Sequence, residues 1–363
     1  MDTLTHALSG ALAGRLLAGR PVRGQAPSLK PWQAVLIGTV AAAFPDLDFV
    51  LRYVSDLAYL RGHRGVTHSL LMLPLWGALI AWVMAAILNL PERRRGAAPN
   101  VSWRHCYLVA CVAIFVHIAG DLITQFGTMI LAPLSDRRFG FGTTFIIDLG
   151  VSGILLAGLL ASAVWRSSRV PASLAALALL AWIGNSAVAR SDAIDAARAY
   201  AEREGIAVVA LDAAPRPASP YNWTAIVFDG RNYHYAHLNT RRLEPLVATA
   251  DDHFIRRFSA PYQPVALARW HTAARFGDAA AAGLARRVWE AEEFEFFRWF
   301  AMFPVLDHVA QPGDPNGTCA SFRDLRFETP GRPVIPFRFG LCNGGSGWRM
   351  FERVADGLRW MTE

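Results

Sequence analysis

His117 and Asp121 stand four residues apart in a stretch, Cys106 to Leu134, that is otherwise nearly free of charge. On a helix, that spacing aims one imidazole and one carboxylate at a common point. This is a metal-ligand spacing. Three further groups carry the same chemistry: His6 near the amino terminus, Asp46 and Asp48 in Pro45-Asp46-Leu47-Asp48, and His63 and His68 in His63-Arg64-Gly65-Val66-Thr67-His68-Ser69. Imidazole and carboxylate together suit zinc or manganese, whereas an all-oxygen set would suit magnesium or calcium. The four histidines and the aspartates Asp46, Asp48, Asp121 and, as a further candidate, Asp148 exceed one tetrahedral site, so two or three divalent ions with bridging carboxylates are expected. Such a cluster would activate a water and clamp the oxygens of a phosphoester. An aspartate would accept the proton, Asp48 being the candidate catalytic carboxylate. Arg64, between two candidate ligands, would grip a phosphate by a two-pronged contact. Thr5, Thr67 and Ser69 adjoin histidines and are candidates for fixing ring orientation. Asp148 has a second reading, as the cap of the helix that follows it.

The elements that must position these residues read as membrane helices. Apolar runs lie at residues 4–18, 32–54, 69–90, 105–126, 145–165 and 173–189. All but the first have the roughly 17 to 25 residues needed to cross a bilayer core. With the first included, six spans are expected. The net charge of +7 comes almost wholly from arginine, Lys30 being the single lysine. The arginines flank apolar runs, which points to membrane topology rather than to a nucleic-acid partner. One set of loops collects Arg15, Arg20, Arg23, Lys30, Arg93, Arg94, Arg95, Arg104, Arg166 and Arg169; the other collects Arg52, Arg61, Arg64, Arg137 and Arg138, with Arg190 a borderline member. The richer side should be cytoplasmic. Every candidate ligand then falls on the opposite, outer face, and His105 and Cys106 are excluded by lying at the inner end of their helix. The amino terminus lacks the positive region and cleavage site of a signal peptide, so the first helix is expected to be retained.

Beyond residue 190 the composition changes to charged, aromatic-rich segments. The division expected is a membrane domain over 1–190 and a soluble extracytoplasmic α+β domain over 191–363. A helix over 191–204, a strand over 206–211, a hairpin of 221–228 and 231–238 about Asp229-Gly230, helices over 263–275 and 278–303, and strands over 320–327, 334–341 and 348–354 are predicted, with a glycine-rich turn at 344–347. Cys319 and Cys342 would pair if this domain faces an oxidising compartment, or would remain two buried thiols. His234, His237, His253, His271 and His308 lack ligand spacing and read as ordinary surface or hairpin residues.

Met1-Asp2-Thr3-Leu4-Thr5-His6, the Pro45–Asp48 turn, His63–Ser69 and His117-x3-Asp121-x2-Thr124-x2-Gly127 together resemble the signature of YdjM-type inner-membrane proteins, described as predicted metal-dependent hydrolases. The resemblance spans residues 1 to 160, with a looser match around Tyr221-Asn222-Trp223, Phe297–Phe303 and Asp324–Phe327. It implies an integral inner-membrane protein with a hydrolase label carried onto His6, Asp46, Asp48, His63, His68, His117 and Asp121. The His-x3-Asp helix is also similar to that of zinc-dependent phospholipase C and related single-strand nucleases. Those enzymes use an amino-terminal tryptophan as a ligand, which is absent here.

The sequence thus leads to a membrane all-α bundle of about six helices followed by a small α+β domain. The expected activity is metal-dependent hydrolysis of a phosphoester in a lipid or lipid-linked substrate, with no nucleic acid involved. A metal or ion transporter and a non-catalytic, metal-stabilised scaffold are the alternatives.

Overall fold

A computed structural model of the chain describes residues 1–19, 29–310, 318–332, 334–345 and 347–361. Arg20 and Arg23 of the topology count, and Ser346 of the predicted turn, lie outside the described residues. The chain divides into two compact units, Met1–Val54 with Ala58–Ala187, and Ser55–Leu57 with Val188–Glu363.

The first unit is helical. Helix α1 (Thr3–Leu17) starts at Asp2, whose carboxylate accepts the Thr5 N–H at 3.0 Å. Helix α2 (Pro31–Ala43) gives way at Phe44 to a 3-10 segment, Pro45–Tyr53, bent from it by 41°. The single span expected over 32–54 is therefore broken, because Pro45 offers no N–H to continue the α-helical ladder. Short α3 (Asp56–Gly62) and a 3-10 turn, Val66–His68, lead to α4 (Leu73–Arg94); α5 (Trp103–Leu122) and α6 (Leu149–Val164) follow. Helix α7 (Val170–Arg203) is continuous over 34 residues. It fuses the predicted helices 173–189 and 191–204, since no glycine or proline separates them.

Among the described residues three helices, α4, α5 and α7, are long and apolar enough to cross a membrane, and the bent α2 pair makes a fourth if counted as one span. Six spans are not confirmed among the described residues: α1 and α6 hold 15 and 16 residues, fewer than the roughly 17 of a full crossing. Outward leucines such as Leu75 and Leu79 of α4 and Leu174, Leu177 and Leu180 of α7 are exposed, which suits a lipid rather than an aqueous surround.

The core is built from small residues. Ala34, Ile37 and Ala41 of α2 pack with Ile80, Ala81 and Met84 of α4 and with Val109, Ala110, Ala113 and Ile114 of α5. Helices α1 and α2 meet backbone to backbone: a Cβ at Gly38 would lie 2.1 Å from the Gly10 carbonyl oxygen, and one at Gly14 2.1 Å from that of Ala34. Gly10-x3-Gly14 thus permits an approach that no larger residue allows. Gly38→Leu is expected to cost about 3 kcal/mol or more through overpacking, read as a lower thermal midpoint of detergent-purified protein. An unchanged midpoint would contradict the close approach.

The second unit holds two five-stranded sheets. The first contains β1 (Ala210–Pro215), β2 (Asn222–Phe228), β3 (Asn232–Asn239), β4 (Gln263–Pro264) and β5 (Trp270–Ala274), with β2 and β3 joined at Asp229-Gly230 as the hairpin reading expects. Short α8 (Phe254–Ser259) precedes β4. The helix predicted over 263–275 is absent. That segment instead supplies β4 and β5, both pairing with β3, whose open edge demands partners for its backbone groups. The long helix predicted over 278–303 is α9 (Ala279–Glu290) and α10 (Glu295–Phe300) with a 3-10 turn between. The second sheet runs β10 (Gly357–Trp360), β9 (Trp348–Val354), β8 (Phe339–Asn343), β7 (Thr318–Asp324), β6 (Pro304–Val309), all antiparallel. Ala189, Ala193, Ala197 and Ala201 of α7, four apart, pack with Trp223, Ala225, Val227 and Leu238 of the first sheet.

Cys319 and Cys342 face each other across β7 and β8, 4.1 Å apart at Cα, and form a disulfide. A loop of that length, with a sequence separation of 23, contributes about 3 kcal/mol in the chain-entropy view. Replacing both with alanine should lower the thermal midpoint by about 5 to 10 °C; a shift under 2 °C would count against that contribution.

A buried polar network ties the unit together. The Arg216 guanidinium donates to Thr224 Oγ1 and to the carbonyls of Arg326 (2.8 Å) and Leu325 (2.8 Å), and Thr224 Oγ1 lies 2.9 Å from His237 Nδ1. Burial, then Arg216 and His271, lowers the His237 pKa to about 3. The unfolded chain therefore binds one more proton than the fold between pH 3 and the ordinary value of 6.5. Stability should fall as pH drops below 6.5, by about 1.4 kcal/mol per pH unit for this group. In His237→Gln the acid side of the stability profile should be flatter.

Candidate metal centre

The start of α1, the 3-10 segment after α2, the turn before α4 and the end of α5 bring four sequence-distant motifs together. Ligand atoms of His6, Asp46, His117 and Asp121 all lie within 4.8 Å of one another. His6 Nε2 is 3.1 Å from Asp121 Oδ1, and the His6 and His117 rings stack with centroids 3.6 Å apart. His117 Nε2 lies 3.4 Å from Asp121 Oδ2 and 3.7 Å from Asp46 Oδ1. His68 Nε2 joins the same group, 3.2 Å from Asp121 Oδ2 and 3.7 Å from Asp46 Oδ1.

The histidine rings are set for ligation from behind. His117 Nδ1 lies 2.6 Å from the carbonyl of Ala42, an acceptor only, so this nitrogen carries the proton and Nε2 presents its lone pair inward. His68 Nδ1 is 3.0 Å from Thr67 Oγ1. This is the arrangement by which outer partners orient metal-binding imidazoles.

Beyond these mutual approaches, the inward atoms make no hydrogen bond among the described residues. Asp46 Oδ2, His68 Nε2, His117 Nε2 and Asp121 Oδ2 are buried without a hydrogen-bond partner. Buried polar atoms are almost always paired, yet four in this cluster, two carboxylate oxygens and two imidazole nitrogens, lack a hydrogen bond. That donor set fits a divalent metal ion. His6, His68, His117 and Asp121 are at most 1% exposed, while the Asp46 side chain retains 14% and that of His63 19%.

The remaining expected residues take other places. Asp48 accepts the Arg64 backbone N–H at 2.9 Å and faces His63 Nδ1 at 3.0 Å, so His63 and Asp48 form a pair beside the cluster. Arg64, expected to grip a substrate anion, turns inward: its guanidinium lies 2.8 Å from Asp121 Oδ1 and donates to Thr124 Oγ1 at 2.8 Å, at 2% exposure. Its positive φ of 60° is part of that turn. The Met1 amino nitrogen also lies on Asp121 Oδ1. Asp148 caps α6, accepting the Val151 N–H at 3.0 Å and the Trp182 indole N–H at 3.1 Å, and its carboxylate is not among the converging ligand atoms. Of the three hydroxyls expected to orient histidines, Thr67 does so; Thr5 bonds Asp2 and Ser152, and Ser69 bonds the carbonyls of Ala132 and Ile130.

The Ala42 carbonyl escaped the sequence reading. Its signal was there: a helix broken by Pro45 leaves the carbonyls of its last turn unpaired, and Ala42 is one of them.

Comparison with known proteins agrees with the motifs. The chain is 31% identical over 172 residues to the uncharacterized protein YfhP of Bacillus subtilis strain 168, covering 47% of this chain and 48% of that protein. It thus spans about half the length of the curated relative it matches. No solved structure matches it. The profile of the YdjM inner membrane protein family matches residues 1–193, which carry every residue of the cluster, and the chain belongs to that family.

Proposed function

We propose that this protein is a membrane-bound, metal-dependent hydrolase that cleaves a phosphoester in a lipid or lipid-linked substrate. The observation that carries the reading is the cluster of ligand atoms of His6, Asp46, His117 and Asp121 with His68 against it, in which four buried atoms lack a hydrogen bond. A divalent ion, zinc or manganese, would be held by these residues with His6, and would supply Lewis acidity and a water of lowered pKa. His63, 19% exposed beside them, would supply a donor for a further ion.

The chain's own groups do the rest. The Ala42 carbonyl and Thr67 fix two imidazoles, while Arg64 and Thr124 hold Asp121 in place. Asp48, at 6% exposure and beside the partly exposed His63, is the carboxylate positioned to accept a proton. A mostly apolar cleft of about 520 Å³, lined by Leu47, Asp48, Leu51, Val66, Met129 and Pro133, adjoins Asp48 and suits the apolar part of a lipid.

The orientation proposed sets the cluster and the second unit outside the cytoplasm. Arg15 donates to the carbonyls of Arg166 and Ser168, and Arg169 to that of Ala18, so these arginines gather at the helix ends opposite to His6 and Asp121. That end is the cytoplasmic one on the positive-inside rule. The Cys319–Cys342 disulfide suits an oxidising compartment for the second unit.

The test is hydrolysis of a chromogenic phosphodiester, then of phospholipids and isoprenoid phosphates, by detergent-purified protein. Activity that vanishes with a chelator and returns with zinc or manganese supports the proposal. Full metal loading without hydrolysis of any phosphoester would leave the scaffold or transporter reading in its place.

A further inference from the structure

At the opposite end of the bundle from the cluster, a cleft of about 770 Å³ opens between α4 and α5. Its lining is graded along the helices. From Ala78 to Arg93 is fifteen residues of α4, or roughly 22 Å at the helical rise. One end is formed by Ala78, Trp82 and Ala86; the other by Arg93, Ser102 and His105, with Trp103 beside them. Long, apolar at one end and cationic at the other, the cleft has the shape of an amphiphile's complement.

Its polar end is built and held. Asn89, buried, donates to the carbonyls of Ala85 (2.8 Å) and Val101 (2.9 Å) and accepts the N–H groups of Asn100 (2.9 Å) and Val101 (3.0 Å), which pins the loop before α5 onto α4. Ser102, the N-cap of α5, makes no side-chain capping bond, so the first N–H groups of a 20-residue helix remain open at this end. Among the described residues Arg93 makes no ion pair, whereas the nearby Glu92 receives Asn100 Nδ2 at 3.3 Å and Arg95 at 3.9 Å. Trp103, 50% exposed at the start of α5, flanks the polar end as indoles do at a lipid boundary, while Trp82, 68% exposed, lies along the apolar part.

We infer that this cleft binds one anionic phospholipid from the leaflet on the arginine-rich side. Its phosphate sits between Arg93, His105 and the α5 amino end, and one acyl chain lies along Ala86, Trp82 and Ala78. Helix-bounded basic pockets at this membrane level take such headgroups. The site is separate from the metal centre, and the inference does not depend on the proposed reaction.

Native mass spectrometry of the full-length, detergent-purified protein tests it, titrating phosphatidylglycerol against phosphatidylcholine of the same chains. One equivalent of phosphatidylglycerol should be retained, with about fivefold to tenfold preference over phosphatidylcholine. The double variant Arg93→Gln/His105→Gln should lose that preference, and Ala86→Trp should block both lipids. Arg104→Gln, which removes the same charge nearby but does not line the cleft, should bind as wild type does. Equal retention of the two lipids would overturn the inference, as would unchanged preference in the double variant or an equal loss in Arg104→Gln. Displacement by glycerol 3-phosphate would also overturn it, since the headgroup alone would then suffice.

Discussion

His117→Ala or Asp121→Ala is expected to remove bound metal and hydrolysis together. Both residues are fully buried, and each presents an unpaired atom to the same point. Changing an outer partner of a metal ligand commonly weakens affinity 10- to 100-fold, so losing a ligand itself should weaken it by at least about a hundredfold. Elemental analysis and phosphodiester hydrolysis on the same samples check this. Asp148→Ala provides the contrast, because its carboxylate caps α6 and holds Trp182. That variant should keep its metal while losing about 1 kcal/mol of helix capping. If Asp148→Ala and His117→Ala lose metal equally, the assignment of ligands is wrong.

Arg64→Leu should strongly destabilise the helical unit. Asp121 is fully buried, and the guanidinium 2.8 Å away is one of its few cationic partners. Removing one member of a buried pair leaves the other uncompensated, at about 3 to 5 kcal/mol. Arg64→Lys restores the charge but not the fork that reaches Asp121 and Thr124 at once, so it should recover only part of the loss. Thermal unfolding in detergent, followed in the metal-free protein, reads both. An arginine that grips substrate predicts the opposite pattern, a raised KM at an unchanged midpoint.

The candidate site was more legible than the frame that holds it. His117-x3-Asp121 and the three other motifs could be picked out because ionisable groups in apolar helices are expensive and so carry information. Their convergence followed from placing each on one face of the membrane. What the motifs could not reveal was which of their members look inward. Arg64 lies between His63 and His68, where a clamp for substrate was the natural reading, but the turn at its positive φ reverses the side chain onto Asp121. Asp148 had two readings from the outset, and its position before Leu149 makes it the cap of α6.

Element lengths were harder. Hydropathy measures how apolar a run is, and α1 is apolar, yet the helix holds only 15 residues. In the second unit the hairpin at Asp229-Gly230 could be read from turn chemistry. Residues 263–275 could not, because their strands exist by pairing with β3, a demand set by distant backbone that local propensity does not encode.

The most direct test of the central claim is the metal content of wild-type protein, expressed with zinc and manganese supplied and purified in detergent. At least one equivalent of zinc or manganese per chain, retained through purification and released by a strong chelator, is the predicted result. Protein that is fully folded and metal-free under those conditions would contradict the account, because the four unpaired atoms of Asp46, His68, His117 and Asp121 would then have some other partner.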